Sequence, residues 1–152
     1  MVKREVSLTG LDNAQEFARN LGAKLHGHEV ITFASDLGGG KTTLIKSIVS
    51  GSGSSDLVSS PTFTICNTYS APKFSIQHFD FYRLQDPGIM TRQLDEVLHD
   101  SQSVVLIEWP KTIQAILPKN TINITIDVTG EHNRKLTIDY PDEFKYLFDF
   151  KD

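Results

Sequence analysis

The sequence predicts a three-layer α/β fold in which a central mixed β-sheet is flanked by helices. An apolar run of strand type at residues 30–34 stops in a glycine-rich turn, which leads through Gly-Lys-Thr into an apolar pattern with helical spacing. A second apolar run at residues 104–107 ends in Glu108, a pattern typical of a buried strand that delivers a carboxylate. Residues 121–140 alternate in apolar character on both sides of a turn, which predicts an antiparallel hairpin.

The order of strand, glycine-rich loop, Gly-Lys-Thr and helix is that of the phosphate-binding loop of P-loop NTPases. Glycines let the backbone turn successive N–H groups inward, and the following helix presents the positive end of its dipole to an anion. In such a loop Lys41 reaches the β- and γ-phosphates, and the hydroxyl of Thr42 ligates Mg²⁺. Ser35 occupies the place of the first glycine of the pattern. The alternative is a plain glycine-rich turn without a ligand.

The composition indicates one soluble globular domain spanning residues 1–152. The formal net charge of −4 and the pI near 5.7 argue against broad electrostatic binding of nucleic acid by this chain alone. Cys66 is the only cysteine, so an intrachain disulfide is excluded. No apolar run approaches membrane-spanning length and the first residues lack a signal-type apolar core, so the cytosol is the expected compartment.

The remaining elements are predicted from apolar spacing and from turn residues. In the first half of the chain they are an edge strand at 4–8, a helix at 12–25 that begins with an Asp12–Gln15 capping box, a helix at 42–49 and a mobile Ser/Gly loop at 50–55. A strand at 74–84 and a helix from the Asp86-Pro87 start signal to about 99 follow. The hairpin has Ile122, Ile124, Ile126 and Val128 on one face, and a terminal helix at 142–150 has Phe144, Leu147 and Phe148 inward.

A hydroxyl-bearing loop lies between the P-loop helix and the next strand. Pro61 restrains the backbone ahead of Thr62 and Thr64, and the two threonines share one face of the strand-like run because they are two residues apart. In a P-loop protein a hydroxyl at this place can sense the γ-phosphate. The alternative is that both hydroxyls only decorate the surface.

Asp80 follows aromatic and apolar residues, so its carboxylate is expected near the end of a buried strand. Burial of a carboxylate is costly unless it has partners. Arg83 is one candidate partner, in a structural salt bridge; a water molecule or Mg²⁺ is the functional alternative. His78 is interpreted as a packed strand histidine rather than a metal ligand.

Glu108 ends a buried strand, the Walker B arrangement, in which the acid ligates Mg²⁺ or holds its water. The alternative is an acid that only caps the strand. Trp109 and Pro110 then form either a rigid exposed end or a packing lid. Arg134, at the hairpin tip, either reaches a nucleotide or is solvated.

Four motifs in one order resemble the TsaE family, the small P-loop ATPases of bacterial tRNA threonylcarbamoyladenosine biosynthesis. They are the P-loop, Ser-Pro-Thr-Phe-Thr, His-Phe-Asp-Phe-Tyr-Arg-Leu and Ile-Glu-Trp, and the resemblance spans about residues 10–140. Two departures are Ser35 in place of the first P-loop glycine and Gly39 in place of the usual alanine, which makes the loop more flexible. Neither departure removes a phosphate or metal ligand.

The resemblance implies slow ATP hydrolysis with Mg²⁺ and action together with the TsaB and TsaD proteins. These partners transfer a threonylcarbamoyl group to adenosine 37 of certain tRNAs, and the tRNA is held mainly by them. It implies that Thr62 is the switch hydroxyl, that Asp80 lies near the γ-phosphate and orients water, and that Thr42 and Glu108 complete the Mg²⁺ site. The residues implied to bind the nucleotide are Leu37, Gly38, Gly39, Gly40, Lys41, Thr42, Thr43, Trp109 and, with a looser match, Arg134.

Two other functions compete with a switch ATPase. A small-molecule kinase would usually carry an arginine-bearing lid, and between Leu84 and Val104 the sequence offers only Arg92. A nucleotide-gated binding module with little turnover would have the same sequence content as the ATPase, so only a turnover assay separates these two.

Overall fold

The computed structural model describes residues 1–36, 40–59, 66–82 and 88–149, with the side chains of 88–90 left aside. Among them the strands are β1 (Val2–Thr9), β2 (Val30–Ser35), β3 (Cys66–Ser70), β4 (Ser75–Asp80), β5 (Ser103–Glu108), β6 (Ile122–Val128) and β7 (Asn133–Tyr140). The α-helices are α1 (Gly10–Ala23), α2 (Lys41–Gly51) and α3 (Gly88–Leu98), and two 3₁₀ segments span Pro110–Ile116 and Asp142–Phe148.

The seven described strands form one mixed sheet in the order β1-β7-β6-β2-β5-β4-β3. β6, β2, β5 and β4 run parallel to one another, whereas β7, β1 and β3 pair antiparallel with their neighbours. The mixed sheet, the edge position of the first strand and the hairpin of residues 121–140 are therefore confirmed.

Two apolar clusters cover the two faces of the sheet. Ile31 of β2 and Leu106 of β5 pack in the cluster that contains residues of α1 and α2. Val105, the neighbour of Leu106 in β5, lies in the other cluster, together with Leu94 of α3 and Ile113 of the first 3₁₀ segment. Because successive strand residues point to opposite faces, the same strands support both clusters, and the predicted three-layer arrangement is confirmed. The face covered by α1 and α2 is called the α2 face below.

Helices α1 and α2 pack so closely that two glycines are required at their contact. A Cβ atom on Gly22 would lie 2.0 Å from the carbonyl oxygen of Ile48, and one on Gly51 would lie 2.1 Å from that of Arg19. Gly51 belongs to the Ser/Gly run that the sequence predicts as a mobile loop. That part of the prediction is wrong, because α2 continues through Gly51 to make this contact.

The start of α1 also differs from the sequence prediction. The helix begins at Gly10 rather than Asp12, and no side-chain capping bond forms at its N-terminus. The Gly10 N–H instead donates to the carbonyl oxygen of His132 at 2.8 Å, and the Thr9 N–H donates to Oδ1 of Asn13 at 2.9 Å. The bond to the hairpin turn fixes where the helix starts, so local capping signals do not decide it.

Val128 shares one face of β6 with Ile122, Ile124 and Ile126, as predicted, and it is 56% exposed because β2 pairs with β6 only as far as Ile126. One prediction near the C-terminus needs correction. The terminal helix is a 3₁₀ segment rather than an α-helix. Its three apolar residues are nevertheless buried as predicted: Phe144, Leu147 and Phe148.

No helix in the described part of the chain is long and apolar enough to cross a membrane.

We expect Gly22→Ala to lower the free energy of unfolding by about 2–4 kcal/mol, because the added methyl group overlaps the backbone of α2. Intrinsic helix propensity alone would favour alanine by up to about 1 kcal/mol. Chemical denaturation measures the change. Gly130→Ala is the matched control, since its Cβ would meet only the movable side chain of Asn133 at 3.3 Å. A Gly22→Ala protein as stable as the parent would contradict the close packing.

Candidate nucleotide-binding site

Three polar residues end three neighbouring parallel strands. Ser35 ends β2, Glu108 ends β5 and Asp80 ends β4. In the sheet register Glu108 lies between Asp80 of β4 and Phe33 of β2. Ligands of open α/β sheets bind outside the carboxyl ends of the strands. This edge of the sheet is therefore the place to look for a site.

The three side chains also share one face of the sheet. Residues two apart in a strand point the same way, and Ile31, Ile76 and Leu106 all lie in the cluster of the α2 face. Ser35 and Asp80 lie four residues beyond Ile31 and Ile76, and Glu108 lies two beyond Leu106. All three therefore face the layer of α2, whose first residue is Lys41.

Lys41 is buried and lies among these groups. Its Nζ donates to Oγ of Ser35 at 2.7 Å and lies 3.9 Å from the centroid of the Trp109 ring. Burial lowers the pKa of the Lys41 ammonium, and the carboxylates of Glu108, Asp80 and Asp36 counteract part of that lowering. A cation ringed by acids, in partial isolation from water, can bind the oxygens of a phosphate group strongly.

Glu108 is buried beside a histidine that fixes its orientation. Nε2 of His78 lies 2.7 Å from Oε2 of Glu108, and Nδ1 lies 3.1 Å from the hydroxyl oxygen of Tyr69. Because an ionised carboxylate only accepts hydrogen bonds, the Nε2–H of His78 is the donor. His78 is fully buried, so its interpretation as a packed strand histidine is confirmed. Its bond to Glu108 was missed, although the His-x-Asp spacing puts His78 on the face of Asp80.

Trp109 has a strained backbone, with φ 57° and ψ 62° in the left-handed region. Its N–H donates to the carbonyl oxygen of Phe33 at 3.2 Å, and its ring contacts Tyr82 with centroids 4.8 Å apart. A bulky residue in this conformation costs about 1–3 kcal/mol, and such strain clusters at functional sites. Of the two interpretations from sequence, the lid is the closer, because the half-buried ring lies against the ammonium of Lys41.

Gly40 also lines a cavity of about 220 Å³ between α1, the start of α2 and the hairpin turn. Gly40 has φ +93°, which only glycine adopts without strain. Six of the residues that line the cavity are Leu8, Leu11, Ala14, Gly40, Thr43 and Arg134. Nη1 of Arg134 donates to the carbonyl oxygens of Asn133 at 2.9 Å and Gly130 at 3.1 Å, so the hairpin turn holds the guanidinium at the cavity.

The donors for a magnesium ion are a hydroxyl and a carboxylate. Thr42 lies in the first turn of α2 and is half-buried, and Glu108 lies at the end of β5. Mg²⁺ in phosphate sites takes one or two protein oxygens and completes its shell with water and phosphate. This donor set fits it, and His78 fixes the orientation of the carboxylate. The described residues contain no cluster of three or more His, Cys, Asp or Glu that could hold a metal by itself.

Several predicted site residues lie outside the described residues. They are Leu37, Gly38 and Gly39 of the loop, Thr62 and Thr64, Arg83, and the helix-start pair Asp86 and Pro87. Apart from Thr42 in the first turn of α2, the remaining site residues fall into two groups near the α2 N-terminus. Lys41, Asp80, Glu108 and Trp109 form one group, and Gly40, Thr43 and Arg134 line the cavity.

The family described as "Threonylcarbamoyl adenosine biosynthesis protein TsaE" matches residues 8–136. The chain belongs to the TsaE family. The family resemblance seen in the four motifs is thus confirmed, and so is the place of the chain in a family of tRNA threonylcarbamoyladenosine biosynthesis.

Individual TsaE proteins are similar over most of the chain. The tRNA threonylcarbamoyladenosine biosynthesis protein TsaE of Bacillus subtilis is 38% identical over 109 residues, which cover 72% of this chain and 68% of the relative. The TsaE protein of Rickettsia bellii is 31% identical over 140 residues, 91% of this chain and 96% of the relative. The crystal structure of Bacillus subtilis YdiB superposes with a TM-score of 0.80 at 28% identity, covering 97% of this chain and 92% of that one.

In this TsaE-family chain we expect His78→Ala to lower the free energy of unfolding by about 3 kcal/mol. The substitution leaves a buried carboxylate without its donor and opens a small cavity. Chemical denaturation measures the loss. His99→Ala is the control, because that side chain is 77% exposed, and it should change stability by less than about 0.5 kcal/mol. If both variants matched the parent, the His78–Glu108 contact would not be stabilising the sheet end.

Proposed function

We propose that this chain binds ATP with Mg²⁺ and hydrolyses it slowly, as one P-loop ATPase domain serving tRNA threonylcarbamoyladenosine formation at adenosine 37. One observation carries the proposal. The ammonium of Lys41 lies at the carboxyl ends of three parallel strands, in the field of Glu108 and Asp80, at the start of the helix that follows the glycine-rich loop. This is the environment that phosphoryl transfer needs, since the protein contributes positioning and charge stabilisation rather than covalent chemistry.

The phosphates are bound by the loop and by the start of α2. The first N–H groups of a helix lack intrahelical partners and carry the positive end of the dipole. By the P-loop pattern, residues 37–42 are the ones whose N–H groups would bind the β- and γ-phosphates, and Lys41 neutralises charge that develops between these phosphates during bond cleavage. Gly40, at positive φ, turns the chain from the loop into the helix without strain.

Thr42 and Glu108 would hold the magnesium ion, which would supply charge neutralisation for the phosphates. The Nε2–H of His78 keeps the Glu108 carboxylate aimed at the site. Partners in the outer shell of a metal ligand fix its orientation in this way. We assign Glu108 this role rather than that of an acid that only caps the strand, because it faces α2 and lowers the free energy of the Lys41 cation.

Asp80 orients the attacking water. Its Oδ1 accepts the N–H of Tyr82 at 3.0 Å, which fixes the carboxylate at the strand end. It lies in register with Glu108 and within the electrostatic reach of Lys41. Thr62 serves as the hydroxyl that senses the γ-phosphate, by its place in the Ser-Pro-Thr-Phe-Thr motif.

The base of the nucleotide occupies the cavity beside Gly40. Gly40 and Thr43 line the cavity and flank Lys41 and Thr42 in the chain, so we place the part of the nucleotide beyond the phosphates in it. The wall formed by Leu8, Leu11 and Ala14 is apolar, and Arg134 supplies a planar cation at the rim. An apolar cavity with a few polar groups suits an aromatic base.

The chain acts with the TsaB and TsaD proteins, which hold most of the tRNA. The net charge of −4 supports this division, because an acidic chain does not bind a polyanion broadly. Arg134, in the part of the chain that the structure describes, donates to carbonyl oxygens of its own turn on the cavity side of α2. We therefore assign Arg134 to contact with the base rather than with the phosphate bond that is cleaved. Without Arg134 at that bond, we expect turnover to be slow and to rise with the partners. Because the substrate pathway modifies tRNA, we propose the cytosol as its place of action.

We expect Lys41→Ala to weaken ATP affinity at least 100-fold or to abolish turnover, because the cation that meets the β- and γ-phosphates is lost. Titration of the nucleotide and a phosphate-release assay measure the two effects. Lys46→Ala is the matched control, since Lys46 lies on the same helix but is exposed. It should leave both quantities within twofold. Unchanged affinity and turnover in Lys41→Ala would contradict the phosphate-loop assignment.

A further inference from the structure

We propose that Ser35 is a positioning residue for Lys41, and that its hydroxyl holds the lysine ammonium at the end of β2 before nucleotide binds. The inference rests on the proposed nucleotide-binding function and deepens it. It concerns the position at which this chain departs from the P-loop pattern, where serine replaces glycine.

The direction of the hydrogen bonds makes Ser35 an acceptor for the lysine. Oγ of Ser35 donates its proton to the carbonyl oxygen of Asp36 at 2.8 Å. The lone pairs of the same oxygen are thus turned toward Nζ of Lys41, which lies 2.7 Å away. Hydrogen bonds with one ionised partner are shorter and roughly twice as strong as neutral ones. Glycine at this position would offer no side-chain acceptor.

A second contact fixes the ammonium from the neighbouring strand. The Trp109 ring lies 3.9 Å from Nζ, and its backbone is held by the N–H bond to Phe33. Ser35 ends β2 and Trp109 follows β5, so both supports belong to the rigid centre of the sheet. An ammonium has three N–H donors, so one bond to Ser35 leaves donors that can meet phosphate oxygens. The two supports can therefore persist when nucleotide is bound.

Serine fits this place without backbone strain. Ser35 is the last residue of β2, and Trp109 is the non-glycine residue at positive φ in the described chain, so Ser35 does not need the conformational freedom of glycine. The substitution thus adds an acceptor at no conformational cost. A fixed resting position of the Lys41 side chain reduces the entropy that binding must remove.

The first test uses Trp109, the only tryptophan of the chain, as a reporter in the absence of nucleotide. Lys41→Met sets the emission of the ring without its cation. We expect Ser35→Ala to shift the emission toward that of Lys41→Met, because the released lysine spends less time over the ring. Ser35→Thr, which keeps a hydroxyl, should retain the parent emission. Parent-like emission in Ser35→Ala would overturn the positioning role, whether or not nucleotide binds.

The second test separates an effect on lysine from an effect on the fold. ADP carries the β-phosphate that Lys41 meets, and adenosine carries none. We expect Ser35→Ala to weaken ADP binding several-fold, up to about tenfold, because a lysine that is no longer held loses more side-chain freedom on binding, and to leave adenosine binding within twofold. Ser35→Thr should bind ADP as the parent does, and Ser50→Ala, an exposed residue of α2, is the control.

Three outcomes would overturn the inference: tighter binding of ADP by Ser35→Ala, unchanged binding of ADP, or an equal loss for ADP and adenosine. Failure of the parent chain to bind ADP would instead overturn the proposed function. In that case the emission of Ser35→Ala and Lys41→Met still decides whether the hydroxyl positions the lysine.

Discussion

The parallel pairing of β5 with β2 on one side and β4 on the other is the constraint on which the site depends. It brings three strand ends to one edge of the sheet, and the two-residue period turns their polar side chains to the same face. Helix α2 begins above that face, so Lys41 meets groups that are far apart in sequence. No local motif could arrange this. The pairing of the strands therefore sets the positions of these side chains.

Two buried acids have surroundings that suit a structural carboxylate in one case and the proposed metal ligand in the other. Glu29 accepts the N–H groups of residues 26–28 and the hydroxyl of Tyr146. Burial by itself would raise the pKa of Glu29, but these hydrogen bonds together hold it below its usual value. Its oxygens are fully used in fixing a turn. Glu108 has His78 on one oxygen and faces the Lys41 cation, as a group that takes part in ligand binding would.

The sequence predicts most of the fold because apolar periodicity and turn residues report local structure directly. The strand that ends in Glu108 and the P-loop helix lie where their patterns place them, whereas the strand predicted at 74–84 ends at Asp80. The predictions of where α1 starts and where α2 ends are wrong. A hydrogen bond from Gly10 to the hairpin turn and the close packing of Gly51 against α1 override the local capping and loop signals. Both errors come from contacts between segments distant along the chain.

The sequence names the residues of the candidate site, but it does not predict the hydrogen bonds between them. Types and spacing single out Lys41 and Glu108 because their chemistry is tied to a motif. The His78–Glu108 bond and the Ser35–Lys41 bond each join two strand or helix ends, and such pairings depend on sheet order, which a single sequence does not contain. The serine was noticed only as a missing glycine, whereas the structure shows that it accepts a hydrogen bond from the lysine.

The central claim is that this site hydrolyses ATP as part of a larger assembly. The most direct measurement is phosphate release from ATP by the purified chain, first alone and then with TsaB and TsaD from the same source. The account predicts slow turnover by the chain alone and a clear rise with both partners. ATP binding without turnover in either condition would contradict it and would favour a nucleotide-gated binding module.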